Sequence, residues 1–228
     1  MKRSRINEII REAEAFIRSF GYALPPFAYW SPDDMRARRS EIDMIVERRM
    51  GWDITDYGQE RFDELGLFLF TVRNGVAADL AQGGGMLYAE KIMISRKNQL
   101  SPMHRHYLKA EDIINRGGGR LVLELFMPDE AGGIDEAAEV AVPVDGTIRR
   151  LPPGGLLKLD PGESVTLLPG VWHAFWGEGG DVLIGEVSTV NDDLTDNWFR
   201  DPIGRFSSID EDEPPLHLLV SDYQSLLI

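Results

Sequence analysis

The sequence predicts a mainly β protein, a small β-barrel faced by two N-terminal helices. Three observations predict it. From residue 66 the chain breaks into short segments rich in Leu, Val, Ile and aromatics, among them LFLFTVRNG, MLYAEKIMIS, RLVLELFMP and DVLIGEVST. Gly, Pro, Asn and Asp interrupt these segments with no clear helix between them, the texture of an antiparallel sandwich or barrel. Before residue 66 the apolar spacing is helical instead.

Ile6, Ile9, Ile10, Ala13, Ile17 and Phe20 share one face of a helix over residues 3 to 20, which Gly21 ends. Pro25 and Pro26 cannot continue it, because proline lacks the amide donor and clashes with the preceding turn. Ser31, Pro32, Asp33 and Asp34 then read as an N-cap, a first-turn proline and first-turn acids, launching a helix over 32 to 47. VDGT marks a hairpin and LDPGESV a second tight turn. LHLLV at 216 to 220 reads as an edge strand lying back on the body. The expected organisation is a helical layer over 1 to 65, a barrel over 66 to 190 and an acidic extension over 191 to 228 that wraps it.

A formal net charge of -14 argues against a general partner of nucleic acid or anionic membrane, which need clustered Lys and Arg. Residues 192 to 213 hold eight acids against Arg200 and Arg205, read as a solvated, ordered surface tail. With no cysteine, thiolate metal sites, disulfides and cysteine nucleophiles are excluded, so any metal is held by nitrogen and oxygen. The start resembles no signal peptide and no stretch has the length to cross a bilayer, which makes a soluble cytoplasmic protein the expectation.

The chain has four histidines, and three fall into one pattern. His104 and His106 are two apart, so on a strand both imidazoles point to one face. Glu111 follows, then the turn Gly117, Gly118, Gly119, and later His173 just past the corner Pro169-Gly170. Three imidazoles and one carboxylate suit Mn, Fe, Co, Ni or Zn and leave room for water or substrate. Glu111 has the opposite parity to the pair, so a bend near Tyr107 and Leu108 is required to bring it to the same ion. His217, in PPLHLLV, is read as packing or surface.

The segment His104 to Gly118, H-x-H-x4-E-x6-G, resembles the first motif of the cupin superfamily, with Asn98 where the leading glycine usually stands. Gly162, Gly170 and His173 match the second motif, although Pro169 is displaced by one position and Gly177 replaces the closing asparagine. Longer blocks, FAYWSPDD, ISRKNQLSPMHRHYLKAEDIINRGGGRLVLEL, LPGVWHAFWGEGGDVLIGEVSTVNDD and DPIGRFSSIDEDEPP, are similar to the cupin-type D-lyxose isomerase family over essentially the whole chain. The resemblance implies a jelly-roll barrel and a Mn2+-dependent homodimer. It implies an aldose–ketose isomerase converting D-lyxose to D-xylulose, with D-mannose to D-fructose as a weaker relative. Its implied metal ligands are His104, His106, Glu111 and His173, and Lys109 matches the family's site lysine.

Such an isomerase moves a proton between C2 and C1 and needs a base, a cation near O1 and a Lewis acid, with a small neutral monosaccharide as partner. Lys109 is read as the cation. Glu124 and Glu186 interrupt apolar strands, where a carboxylate is costly unless it faces a polar pocket, and Glu186 is preferred as base because its strand follows His173 directly. Glu90 and Lys91 form another internal pair with opposite facings. The C-terminal DPIGRFSSIDED is expected to fold over the mouth and supply Arg205 or Asp210, and Trp172 and Trp176 to wall a sugar pocket. The rivals are a ferrous dioxygenase with an apolar pocket, a sugar-binding protein without turnover, and an isomerase of another sugar or a sugar phosphate.

Overall fold

Helix α1 (Arg3–Ser19) forms where the apolar period places it and buries Ile6, Ile9, Ile10, Ala13 and Ile17; the computed structural model describes residues 1–227. A 3-10 turn at Pro26–Tyr29 and α2 (Pro32–Ala37) follow, and Ser31 and Asp34 close the reciprocal cap that the sequence implies. The second helix is shorter than expected. It stops at Ala37 and α3 (Asp43–Glu47) starts afresh, because Arg38, Arg39, Ser40 and Glu41 offer nothing apolar to bury and close turn hydrogen bonds instead.

The first strand, β1 (Gly51–Thr55), lies earlier than the sequence suggested, inside the segment read as helical. After it come β2 (Leu67–Arg73), the short helix α4 (Ala77–Gln82), β3 (Tyr88–Ser95), β4 (Ser101–His106), β5 (Glu111–Pro128) and β6 (Ile134–Asp135). The chain continues through β7 (Val140–Val144), β8 (Thr147–Leu151), β9 (Gly155–Leu159), β10 (Ser164–Leu167), β11 (Trp172–Thr189) and β12 (Asn197–Phe199), and ends in α5 (Tyr223–Leu226). No described helix is long and apolar enough to cross a membrane.

The strands form one antiparallel sheet in the order β1-β2-β3-β11-β5-β10-β7-β8, with β4 branching from β11, β12 pairing with β4, and β6 and β9 on β5. This corrects the expected closed jelly-roll barrel: the sheet is open, and among the described residues no pairing joins β1 to β8. Closure requires the terminal strands to hydrogen-bond to each other, and here each edge is occupied or defended. Val220 N–H donates to the Trp52 carbonyl on β1 at 2.9 Å, while β8 is short, exposed and carries Arg149 and Arg150. The expected edge strand at 216 to 220 is that single contact, a bridge between Leu219 and Trp52. His217 packs, stacked on the Trp52 ring at 5.9 Å.

The long strands β5 and β11 pair with each other and bend together. One half of each joins β3 and β10, and the other half joins β4 and β9. Inward side chains of both arms, among them Ile113, Leu121, Leu123, Phe175 and Ile184, meet in one core. A second core lies where α1 packs on Trp52, Phe68, Phe70 and Ile94. VDGT makes the anticipated hairpin, with Asp145 and Gly146 both left-handed at φ 47° and 79°. The turn after β9 instead passes the chain from one stretch of β5 to another, Leu159 facing Leu121 and Ser164 facing Ile114.

At the bend, Gly118 has φ +95°, and a Cβ there would stand 2.1 Å from the Asp181 carbonyl oxygen. Gly118→Ala is expected to cost about 3 kcal/mol or more, because backbone must move on both strands. A thermal melt lowered by roughly 6 to 12 °C is the readout, and an unchanged midpoint would show that the corner yields freely.

Candidate metal centre

Strand β4 lies against β11 with His104 opposite His173, and His106 follows two residues on, so sheet register alone gathers the three imidazoles. Their ring nitrogens fall within 4.8 Å of one another. Glu111 arrives by the bend that its parity requires: β4 ends at His106 and β5 starts at Glu111. Asp196 fixes that bend, its carboxylate accepting from the backbone N–H of Tyr107, Leu108 and Lys109 at 2.9, 2.8 and 2.9 Å.

Each imidazole is oriented by a carbonyl. Nδ1 of His104, His106 and His173 bonds the backbone oxygen of Pro102, Asp196 and Val171 at 2.8, 3.1 and 3.1 Å. A carbonyl only accepts, so Nδ1 carries the proton and each Nε2 of a neutral ring presents a lone pair. Burial, reinforced by its histidine neighbours, holds His104 well below its ordinary pKa, and burial lowers His173 to about 4. Glu111 Oε1 lies 3.4 Å from His106 Nε2 and 3.3 Å from His173 Nε2, buried and without a hydrogen bond. Lone pairs converging this closely repel unless a cation lies between them. Donors bonded at about 2.1 Å to one ion stand roughly 3.0 to 3.4 Å apart, the spacing of Glu111 from His106 and His173, and the three imidazoles cluster as a divalent ion needs.

Beyond Glu111, charges alternate along the pocket. Lys109 Nζ reaches Glu111 Oε2 at 2.7 Å and Glu186 Oε1 at 3.0 Å, and Lys91 Nζ reaches the same Glu186 oxygen at 3.2 Å. Burial opposes the Lys109 charge, but Glu111 and Glu186 outweigh it and raise its pKa. Burial likewise opposes ionised Glu111 and Glu186, yet Lys109 outweighs it in both, helped by His106 at the first and Lys91 at the second, and both stay below the usual carboxylate range. Asn191 passes the chain on, accepting from Lys91 at 2.6 Å and donating to Asp193 at 3.0 Å. Arg205 lies 3.3 Å from Asp193 and 2.6 Å from Asp53, with one buried guanidinium nitrogen, Nη1, lacking any partner. Tyr57 and Phe199 form the wall beside His104.

The pocket therefore gathers His104, His106, Glu111, His173, Lys109, Glu186 and Arg205 of the expected residues. Four others are not there. His173 points inward, so Trp172 and Trp176 have the opposite parity: Trp172 is buried on the other face against Met103 and Ala174, with its Nε1 on the Gly132 carbonyl. Glu124, between inward Leu123 and Leu125, stands on the outer face opposite Ala174 and Leu156. Asp210 is exposed at the start of α1, where its backbone pairs with Met1 and Arg3. Lys91, Asn191, Asp193 and Asp196 are the residues that sequence reasoning did not place. The only signals were the internal Glu90-Lys91 pair, where Glu90 does face outward to Tyr22 and Arg73, and the polar run NDD after β11.

The acidic run is also more than a solvated tail. Asp212 accepts from Ser4 N–H and Oγ at 2.9 and 2.7 Å, capping a helix that has no side-chain cap of its own. Glu211 and Asp222 grip Arg3, and Glu213 accepts from Asn7 at 2.6 Å.

The departures from the expected motifs are local. Asn98, in place of the leading glycine, takes φ +62°, which asparagine tolerates, and its N–H donates to the Gly177 carbonyl at 2.8 Å.

The solved L-ribose isomerase of Acinetobacter sp. DL28, in complex with L-ribose, superposes with a TM-score of 0.61 over 92% of this chain and 98% of its own, at 15% identity, a likeness of fold. The L-ribose isomerase of Geodermatophilus obscurus does so at 0.58 and 18% identity, with the same coverage. In sequence, the chain is 46% identical over 226 residues to a D-lyxose/D-mannose isomerase of Serratia proteamaculans, covering 98% of each. It is 43% identical to one of Escherichia coli O157:H7, covering 98% of this chain and 99% of that one. The profile of the D-lyxose isomerase family matches residues 1–223, and with relatives this similar over nearly their whole length, the chain belongs to that family and is an isomerase.

Proposed function

We propose that the protein interconverts D-lyxose and D-xylulose, and D-mannose and D-fructose, as a manganese-dependent isomerase working through an enediolate. The observation that carries this reading is Glu186, an ionised, buried carboxylate held by two lysines in the pocket that contains the metal donors. A divalent ion held by His104, His106, Glu111 and His173 supplies Lewis acidity toward adjacent sugar oxygens. Glu186 takes the C2 proton and returns it to C1, while the Lys109 ammonium stabilises negative charge growing on O1. Arg205, which lines the same pocket, faces the far end of the sugar.

A neutral polyol suits this pocket better than a phosphorylated one. Lys91 and Lys109 meet Glu186, Lys109 also meets Glu111, and Arg205 meets Asp53 and Asp193, so none of the three cations that line the pocket is left unpaired for a phosphate dianion. The same charges disfavour an apolar oxygenase pocket. The reading includes a homodimer, for which exposed Leu108, Leu194 and Trp198 offer apolar surface.

The test is proton NMR of each sugar with metal-stripped protein in deuterated water, before and after manganese is added. Manganese-dependent ketose is the expected result. Folded, manganese-loaded protein that produces no ketose from either sugar would overturn the reading.

A further inference from the structure

Lys91 and Glu186 are direct neighbours across the β3–β11 pairing, so their side chains leave the sheet side by side. Both ammonium groups that reach Glu186 land on one oxygen: Lys109 at 3.0 Å and Lys91 at 3.2 Å, each to Oε1. Oε2 takes no hydrogen bond from the described residues and is not among the sealed, unpartnered atoms, which leaves it open to the pocket that Glu186 lines.

The two lysines differ in what else they do. Lys109 also binds Glu111, so it serves the metal donors as well. Lys91 makes no ion pair with Glu111 and is anchored on Asn191, at 2.6 Å to Oδ1, an oxygen that Lys109 meets only at 3.5 Å. Asn191 is itself held on both sides of its backbone by buried Asn74, whose Oδ1 accepts from the Asn191 N–H at 3.0 Å and whose Nδ2 donates to the Asn191 carbonyl at 2.9 Å. That arrangement fixes the Lys91 ammonium in space through groups other than the proposed metal ligands.

We infer that Lys91 is a positioning residue for the isomerisation: with Asn191 and Asn74 behind it, it pins Oε1 of Glu186 so that Oε2 alone moves the proton. This rests on Glu186 being the base. Oε2 accepts the proton from C2 as the C–H electron pair forms the C1–C2 double bond and the carbonyl pair moves onto O1. In the onward step the double-bond pair takes the same proton from the carboxylic acid to form the C1–H bond, the O2–H bond breaks so that its pair makes the C2 carbonyl, and the O2 proton passes to O1, so no external oxidant or reductant enters. A carboxylate held at one oxygen by Lys109 alone can swing about that bond, and misplacement by about 1 Å can cost roughly 100-fold in rate.

The experiment compares Lys91→Met, Lys91→Arg and Glu186→Gln as manganese-loaded enzymes. It measures kcat and KM for D-lyxose, bound manganese, and the isotope effect on kcat from deuterium at C2. Lys91→Met is expected to lower kcat about 10- to 100-fold with KM within about threefold. Bound manganese stays at the parent level, the isotope effect does not fall, and Lys91→Arg recovers most of the rate. Lys91→Met with kcat within twofold of the parent, or a loss that follows lost manganese, overturns the inference. Activity retained by Glu186→Gln would instead remove the base assignment on which it rests, so the two failures are distinct. If Lys91→Met does not fold, Asn191→Leu removes the 2.6 Å anchor of the Lys91 ammonium, together with a long 3.5 Å contact to Lys109, while leaving the Lys91 and Glu186 charges in place. It should lower kcat severalfold with the same unchanged KM and manganese, and parental kcat in that variant overturns the inference equally.

Discussion

His173→Ala is expected to leave the protein with less than about a tenth of an equivalent of bound manganese and to lower kcat/KM by at least about 1,000-fold. Losing a residue that merely supports a ligand costs roughly 10- to 100-fold in metal affinity, and losing a ligand costs more. His173 has no substitute, because its Nε2 converges on Glu111 Oε1 at 3.3 Å and its other nitrogen is fixed on the Val171 carbonyl. The neighbouring Trp172→Phe is the control: it acts on the opposite face of the strand and should hold manganese within about twofold, since strand side chains alternate. Metal content by elemental analysis and turnover on D-lyxose decide it. Full manganese and full rate in His173→Ala would dissolve the proposed ligand set.

The second large effect is on stability. Arg3→Met is expected to destabilise the fold by about 3 to 5 kcal/mol, because it strands a buried carboxylate. The Arg3 side chain is 0% exposed and Asp222 only 8%, so their pair, at 2.9 Å, is sealed from water, whereas Glu211 on the same guanidinium is 53% exposed. Glu211→Ala should therefore cost under about 1 kcal/mol. For a chain of this length the Arg3 change corresponds to a melting midpoint lowered by roughly 6 to 20 °C. Equal losses from the two substitutions would refute the assignment of the effect to the buried partner.

The cluster of three histidines was legible in the sequence because a strand has a period of two and the chain has few histidines. The spacing of His104 and His106, and the parity conflict that demanded a bend before Glu111, follow from backbone geometry alone. What holds that bend was not legible, since Asp196 comes 85 positions after Glu111 and nothing local marks it as a partner of three amides. Lys91, Asn191 and Asp193 escaped for the same reason: their meaning lies in which strands become neighbours. Trp172 and Trp176 are a different kind of miss. The alternation that turns His173 inward turns both tryptophans outward, so strand parity by itself removes them from the pocket. The open sheet was hidden because closure depends on what covers β1, and the coverage comes from Leu219 and Val220 through one bridge too short to carry a strand pattern.

The capping of α1 by the acids near residue 212 sets an order of events during synthesis. The helix emerges from the ribosome first, with its leading amides and Arg3 unpartnered, and the residues that satisfy them, Glu211, Asp212 and Asp222, are made about 200 positions later. At about 5 to 20 residues per second, that is a wait of roughly 10 to 40 s. Until that segment is made, the leading amides of α1 and Arg3 have only water as partner, so residues 211 to 222 close contacts that the helix by itself leaves open.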